Sequence, residues 1–473
     1  VGLEREHPAS LCADTRELKP GARFFVLGSF DFDRFGPQLR VANLHSLVCE
    51  KEIPLQLESP VETVSDARLQ FLKECCEFYR EDFESFEWTA VTGTKGKTSI
   101  AWTLYNTWQK LGVKAAYIGT LGIDFPGFHQ KGLNTTPGLQ QMLKLLPQMR
   151  AAGVKKVALE ASSQGMMQHR FPVDLIKHRI FTDLSEEHLD AHATMEAYLE
   201  EKNRLFKGYG FQSGEEATAH VLARSQYKEG VLKGFEGKVL EYGLKVNRPD
   251  YNLSHFETGL FQMKVRLHWQ EIELALTVPG FGAFQLENLL AVVSVLNEQF
   301  QSLESLNGFK FPSVPGRVEL AGNFREAPVF VDYAHSSQSL EFVLEAAREE
   351  CKGELLVVFG CGGDRDPGKR GRMGRAASRF CDRVFITNDN PRSEDPEAIA
   401  REVQSGIVPR DGLEVQVVLD RRKAIKEALL KLNPGACLLI CGKGHEQTQI
   451  TGNVTSSFDD REVVRELIRE LSS

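Results

Sequence analysis

The stretch Thr89-Ala90-Val91-Thr92-Gly93-Thr94-Lys95-Gly96-Lys97-Thr98 constrains this chain more than any other. A short apolar strand runs into a glycine-rich turn, and Gly-Lys-Thr then opens a helix expected over 99–111. Such a turn lets backbone N–H groups close on phosphate oxygens, and the helix N-terminus adds its partial positive charge. Lys97 would reach terminal phosphates and the Thr98 hydroxyl would ligate Mg²⁺. Only Thr94 and Lys95 separate Gly93 from Gly96, a shorter spacer than the general phosphate-loop pattern has. A bare Gly-Lys-Thr is more often a solvated turn, and it is the strand before and the helix after that favour a phosphate loop.

The surrounding chain repeats the strand–helix rhythm. Strands are expected over 88–92, 115–118, 156–160, 180–182 and 219–222, with helices over 138–152 and 194–207 between them. That alternation implies a mostly parallel sheet with helices on both faces. A β-rich stretch follows around 250–280, then a helix over 285–298. From Pro315-Gly316-Arg317 the alternation resumes, with strands over 329–332, 355–359, 384–387 and 436–441. Ligands of such a unit sit beyond the carboxyl ends of the strands. The residues found there are Asp332 to His335, Gly360 to Arg365, Asp389 to Arg392 and Gly442 to Glu446. Residues 1–86 read as a small α/β region with no catalytic signature.

A chain of 473 residues is expected to hold about two to four domains. A formal net charge of −8 provides no global basic field, so nucleic acid is not an expected partner. One local basic cluster, Lys369-Arg370-Gly371-Arg372, reads as an anion-directed or solvated loop. The cysteines include no Cys-x-x-Cys pair, and Cys437 and Cys441 fall in an apolar strand, so a reduced, cytoplasmic protein is expected. No apolar run approaches membrane-spanning length and Val1 to Pro8 is not signal-like, so no membrane insertion is expected.

Several side chains stand where such a site needs them. Glu160 ends an apolar strand, where a carboxylate could share Mg²⁺ with the phosphate loop, and Ser162 and Ser163 follow it. His188 and His192 stand one helical turn apart, but Leu189 occupies the position of the glutamate of a zinc motif, so zinc is not expected. Arg392 follows Asn390-Pro391, where proline stiffens the turn, and a fixed guanidinium can grip a carboxylate with two hydrogen bonds.

With these motifs the chain resembles the Mur ligases of bacterial cell-wall synthesis over essentially its whole length. The resemblance implies an α/β fold of three domains. These are a small N-terminal domain for the UDP-substrate (1–86), a central P-loop ATPase-like parallel-sheet domain (87–313) and a C-terminal Rossmann-like domain for the amino acid (314–473). It explains the short loop, since Thr92 to Thr98 satisfy the family's Thr-Gly-Thr-x-Gly-Lys-Thr. It implies ATP contacts at Gly93, Thr94, Lys95, Gly96, Lys97, Thr98, Asn288, Arg317, Asp332 and His335. UDP-substrate contacts are implied at Thr15, Asn134, Thr135, Thr136, Ser162, Gln168 and Arg170. Thr98, Glu160, His188 and Lys202 would surround Mg²⁺, Lys202 as a carbamate, and Lys97, Glu160, His188 and Lys202 would be catalytic.

Within the family the likeness points to members that add the third residue to UDP-N-acetylmuramoyl-L-alanyl-D-glutamate in an ATP-dependent reaction. Asp389-Asn390-Pro391-Arg392 is the form found where that residue is meso-diaminopimelate, whose distal carboxylate needs a cation. Arg365, Gly442 and Glu446 complete the implied pocket. A monomer is expected. The chain departs from the family at Lys95, Gln164, Asp183 and Glu186-Glu187. Alternatives are L-lysine addition, a folylpolyglutamate-synthase-like activity, or a catalytically impaired relative that binds nucleotide or wall precursor.

Overall fold

The computed structural model describes residues 8–132, 134–185, 194–211, 217–244, 251–269 and 272–473. The chain forms two compact units, Val1–Glu241 and Tyr242–Ser473.

The first unit opens with a four-stranded parallel sheet, β1 (Ser10–Cys12), β2 (Ala22–Phe25), β3 (Ser46–Cys49) and β4 (Val61–Thr63), in that spatial order. Helices α1 (Phe32–Val41), α2 (Ala67–Phe78) and α3 (Arg80–Glu84) accompany it. Successive strand residues face opposite sides. Phe24 and Leu47 thus join a small core with Leu39 of α1 and Leu44, while Phe25 and Val48 join Phe71 and Leu72 of α2 in a larger one. That larger core runs on into the neighbouring sheet through Trp88 and Ala90, which explains why the first region belongs to the same compact unit.

The neighbouring sheet is built on β5 (Glu87–Thr92) and α4 (Lys97–Lys110). It adds β6 (Ala115–Gly119), β7 (Gly122–Phe125), β8 (Phe128–Gln130), β9 (Lys156–Glu160), β10 (Ile176–Phe181), β11 (Thr218–Leu222) and β12 (Lys238–Tyr242). Helices α5 (Leu139–Ala151), α6 (Ser163–Met167), α7 (Met195–Lys207) and α8 (Lys228–Val231) lie between them. The order is β12-β11-β10-β5-β9-β6-β7-β8, and β5 pairs in parallel with both β9 and β10. The loops after β5, β6, β9 and β10 therefore emerge side by side at one end of the sheet, where ligands of such sheets bind.

In the second unit an antiparallel sheet, β13 (Tyr251–Glu257), β14 (Gln262–Trp269) and β15 (Ile272–Pro279), precedes the long apolar helix α9 (Ala283–Gln299). A six-stranded sheet follows, built from β16 (Glu319–Phe324), β17 (Ala327–Asp332), β18 (Leu355–Phe359), β19 (Arg383–Ile386), β20 (Glu414–Val417) and β21 (Cys437–Cys441). Its order is β16-β17-β21-β18-β19-β20, all parallel except the β16–β17 pair. Helices α10 (Ser337–Glu350), α11 (Gly368–Phe380), α12 (Pro396–Ser405) and α13 (Arg421–Leu430) connect the strands. The hairpin β22 (Thr448–Thr451) and β23 (Val454–Ser457) and helix α14 (Asp460–Ser472) end the chain. The central strands bury both faces, with Leu355, Val357 and Phe359 in one core and Leu356 and Val358 in the other. Such strands read as continuous apolar runs rather than alternating ones.

One sequence expectation is corrected here. The basic stretch at Lys369 is part of α11, not a loop, and Arg370 is 2% exposed and ion-paired with Glu394 and Glu402 at 2.8 and 3.0 Å. Its glycines hid the helix. They serve close packing, since a Cβ on Gly374 would lie 2.1 Å from the Val403 carbonyl oxygen of α12.

All nine cysteines are buried free thiols, with Cys437 and Cys441 in β21 as expected. Among the described residues no helix is long and apolar enough to cross a membrane.

Candidate functional site

The phosphate loop spans the gap between β5 and α4. Gly93 has φ +136°, and a Cβ there would lie 1.9 Å from Thr182 Oγ1, so only glycine lets the loop close against the end of β10. Gly96, with φ +84°, caps α4. One backbone and one side-chain hydrogen bond tie the loop down, with Thr94 N donating to the Asp183 carbonyl at 2.8 Å and Thr182 Oγ1 donating to the Lys95 carbonyl at 2.6 Å. The Lys97 ammonium arches over this loop and donates to the carbonyls of Gly93 and Thr94 at 2.7 and 2.9 Å.

Glu160 ends β9 with no exposure. Its carboxylate accepts hydrogen bonds from Thr98 Oγ1 at 2.9 Å, from Thr120 N and Oγ1 at 3.0 Å each, and from the Tyr117 hydroxyl. A buried carboxylate held by this many donors is aimed rather than free to rotate. Thr98 and Glu160, predicted as partners, thus meet directly. Tyr117 and Thr120 were not anticipated, although their place at the end of β6, next to β9, was the available signal.

Lys202 lies on α7 with 1% exposure. Its Nζ is 3.3 Å from the Gly93 carbonyl oxygen and 5.0 Å from the centroid of the Tyr198 ring. Burial, with the Lys97 charge adding to it, holds this amine well below the ordinary lysine range against the weaker pull of Glu201. Lys202, which the resemblance places at the metal, is therefore a buried amine of lowered basicity pressed against the phosphate loop. His188 lies outside the described residues, as do Glu186 and Glu187. Asp183 accepts from Ser225 Oγ at 2.7 Å and pairs with Arg224 at 3.2 Å.

Beside this centre the first unit encloses a cavity of about 700 Å³. Thr15, Asn134, Gln168 and Arg170, four of the expected UDP-substrate contacts, line it together with Asp14 and Arg16. Arg170 donates to the Thr136 carbonyl at 2.6 Å, and Thr136 Oγ1 in turn donates to the Glu160 carbonyl at 2.6 Å. Thr136 Oγ1 also lies 2.9 Å from Ser162 Oγ, and Thr135 Oγ1 lies 3.2 Å from Thr120 Oγ1. A polar chain therefore links the cavity wall to the backbone carbonyl of Glu160. Arg68 and His169 also line the cavity and were not anticipated. His169 has a positive φ of 50° and contacts Asp66 at 3.3 Å.

In the second unit the expected residues gather at the carboxyl ends of β17, β18, β19 and β21. Asp332 accepts backbone hydrogen bonds from Val318 and Ala334 at 2.8 Å each, and burial raises its carboxyl against the opposing effect of Arg317. Arg317 lies 4.3 Å over the Tyr333 ring, and the Tyr333 ring centroid is 4.6 Å from that of His335. Asn288 is half-buried on α9.

Arg392, with φ +50°, donates to the Gly363 carbonyl at 2.6 Å. It flanks Gly362 together with Arg365: a Cβ on that glycine would meet Arg392 Nη1 at 3.0 Å and Arg365 Cγ at 3.8 Å. Asn390 donates to Glu446 Oε2 at 3.2 Å and accepts from Ile450 N at 2.9 Å. Asp389 and Pro391 are buried beside it, and Gly442 adjoins Asp389. Lys443, fully buried, reaches Asn390 Oδ1 at 3.3 Å and Glu446 at 3.5 Å. That lysine was missed, although its setting between glycines at a strand end marked the loop as special.

A phosphate loop on the central strand of a parallel sheet, a buried carboxylate beside it and a second doubly wound unit define a phosphate-loop nucleotide-binding α/β protein. The family model for the Mur ligase middle domain matches residues 91–296, and that for the Mur ligase glutamate ligase domain matches 316–444. The chain is 34% identical over 469 residues to the UDP-N-acetylmuramoyl-L-alanyl-D-glutamate–2,6-diaminopimelate ligase of Mesorhizobium japonicum, covering 97% of this chain and 94% of that one. A solved structure of a ligase of the same name superposes with a TM-score of 0.73 at 28% identity, covering 100% of this chain and 98% of that chain. The MurF ligase of Thermotoga maritima in complex with ADP shares the fold, with a TM-score of 0.59 at 17% identity over 99% of each chain. The chain belongs to the Mur ligase family.

Proposed function

We propose that this protein is an ATP-dependent amide ligase that adds meso-diaminopimelate to UDP-N-acetylmuramoyl-L-alanyl-D-glutamate. The observation that carries the reading is the Arg392 guanidinium beside Gly362, with the Arg365 stem packed on the same glycine and Asn390 bonded to Glu446. Two guanidinium groups suit the distal carboxylate of diaminopimelate, and the Glu446 carboxylate suits the ammonium beside it. L-lysine has no distal carboxylate for the arginines to hold. Relatives named for this reaction at 34% identity support the assignment.

The donor set fits Mg²⁺. Thr98 and Glu160 offer hard oxygen ligands 2.9 Å apart, and among the described residues no cluster of three His, Cys, Asp or Glu side chains builds a full protein cage. Mg²⁺ is commonly held by one or two carboxylates together with phosphates and water. When bound, it would neutralise phosphate charge. Burial that lowers the basicity of the Lys202 amine favours its addition to CO₂, giving a carbamate and a proton and so a second carboxylate-like ligand.

The remaining steps belong to the chain's own residues. The loop from Gly93 to Thr98 and the Lys97 ammonium would hold the ATP phosphates, with Asn288, Arg317, Asp332 and His335 serving the nucleotide. Thr15, Asn134, Thr135, Thr136, Ser162, Gln168 and Arg170 would hold the UDP-substrate with its D-glutamyl γ-carboxylate toward Glu160. That carboxylate takes the γ-phosphoryl group and ADP leaves. The diaminopimelate amine then attacks the acyl carbon, and phosphate departs. Catalysis of this kind is mostly positioning and charge neutralisation. We assign 1–86 to the UDP-substrate, 87–313 to ATP and 314–473 to the amino acid, and expect a cytoplasmic monomer.

The test is phosphate release from ATP. Release that requires both the UDP-substrate and diaminopimelate supports the ligase. Release independent of either substrate, or none at all, rejects it in favour of a binding role.

A further inference from the structure

The 700 Å³ cavity of the first unit is lined by four arginines and one aspartate. Three of the arginines are engaged. Arg16 is paired with Asp14 at 2.6 Å, Arg34 lies 4.9 Å over the Phe35 ring, and Arg170 holds the Thr136 carbonyl and the Gln168 side chain. Arg68, at the start of α2, makes no hydrogen bond or ion pair among the described residues. The nearest candidate, Asp66, is committed elsewhere, to Leu69 N at 2.9 Å and to His169 at 3.3 Å. The Arg68 guanidinium lies against Gly28 beyond β2, where a Cβ would come within 3.1 Å of Nη2. It is close enough to Arg170 for its charge, after burial, to push the Arg170 guanidinium below its usual range. Two like charges facing one cavity, neither paired with a carboxylate among the described residues, call for an anionic occupant.

Position narrows which anion. Arg170 is joined through Thr136 to Glu160, the end of the cavity where the reacting carboxylate belongs in the proposed function. Arg68 lies at the other side, toward the first sheet. A substrate that places its peptide carboxylate at Glu160 and its nucleotide toward the first sheet carries its two phosphoryl groups between them. We propose that Arg68 is a binding residue for the diphosphate of the nucleotide-sugar substrate, supplying the fork of N–H donors that phosphoryl oxygens accept. This rests on the proposed UDP-substrate.

Arg68→Ala should raise KM for UDP-N-acetylmuramoyl-L-alanyl-D-glutamate about 10–100-fold. KM for ATP and for diaminopimelate, and kcat, should stay within about threefold. Arg68→Lys, which keeps a charge but loses the fork, should fall between the two. The discriminating probe is UDP-N-acetylglucosamine, which has the diphosphate but no peptide carboxylate. Its inhibition constant against the UDP-substrate should rise by the same factor as KM. An inhibition constant unchanged while KM rises would place Arg68 on the peptide and overturn the proposal. So would an unchanged KM, or no competition by UDP-N-acetylglucosamine in the parent protein. If the parent shows no turnover, the proposed function fails. Direct calorimetric binding of UDP-N-acetylglucosamine to parent and variant then still decides Arg68. If Arg68→Ala does not fold, Arg68→Lys is read against the same criteria.

Discussion

Replacing Lys202 with methionine separates a chemical role from a structural one. The amine is 1% exposed and held well below the ordinary lysine range, chiefly by burial. Burial already disfavours the charged amine, so the substitution costs the fold little electrostatic stability. It also removes one hydrogen bond to the Gly93 carbonyl, which at 3.3 Å is long. A hydrogen bond of that kind contributes about 1 kcal/mol or less, and methionine refills most of the apolar space of the stem. The unfolding free energy should change by less than about 1 kcal/mol, measured from urea midpoints. A lysine that was structural and charged would instead leave a buried partner stranded and cost about 3–5 kcal/mol.

Activity should respond in the opposite proportion. Loss of a ligand that stabilises charge in the transition state costs about 10²–10³ in kcat, or about 3–4 kcal/mol. Phosphate release measured with all three substrates reads this directly. Lys202→Ala leaves room for a small acid, so acetate or propionate should restore part of the activity of that variant. Near-parental turnover of Lys202→Met, or a large loss of stability with no loss of turnover per folded molecule, would refute the reasoning.

Lys97→Ala should abolish phosphate release while leaving thermal melting within a few degrees of the parent, because its hydrogen bonds to the Gly93 and Thr94 carbonyls lie within the loop itself. Retained turnover would remove it from the phosphate site. Arg392→Ala should raise KM for diaminopimelate at least about tenfold with KM for ATP little changed, and equal effects on both would point to a folding role in its loop. Glu87, at the start of β5, is desolvated, yet hydrogen bonds to His178 and Lys156 outweigh burial and lower its carboxyl from 4.5 to about 2. Its contribution is full above the unfolded value and fades as pH falls toward 2. Glu87→Gln should therefore lose about 1–2 kcal/mol at pH 7, the carboxylate's partial exposure to solvent weakening these contacts, and progressively less below pH 4.5. A urea-midpoint difference that stays constant with pH would contradict this.

Much of the fold was legible because its signals are local. The strand–loop–helix from Thr89 to Thr98 and the apolar runs of β18 and β21 declare themselves through short-range pattern, and their observed bounds differ from expectation by a residue or two. The start of helix α11, from Lys369 to Arg372, read as a loop because its glycines answer to a neighbouring helix rather than to their own.

The site was legible where a residue's role follows from its place at a strand end, as for Glu160 and Asp332. It was less so where the role depends on burial. Lys202 carries no distinguishing mark in sequence, and its depressed basicity arises only once α7 packs against the phosphate loop. Lys443 and Arg68 likewise acquire meaning from neighbours distant in sequence, Asn390 for one and Gly28 with Arg170 for the other.

The central claim is the choice of amino acid, and it rests on Arg365 and Arg392. The most direct measurement offers the purified protein ATP, the UDP-substrate and either meso-diaminopimelate or L-lysine, and identifies the product by mass. A diaminopimelate-containing product is expected, with kcat/KM at least about 100-fold above that for lysine, the difference of about two charge-assisted hydrogen bonds. Equal use of the two amino acids, or preference for lysine, would contradict it.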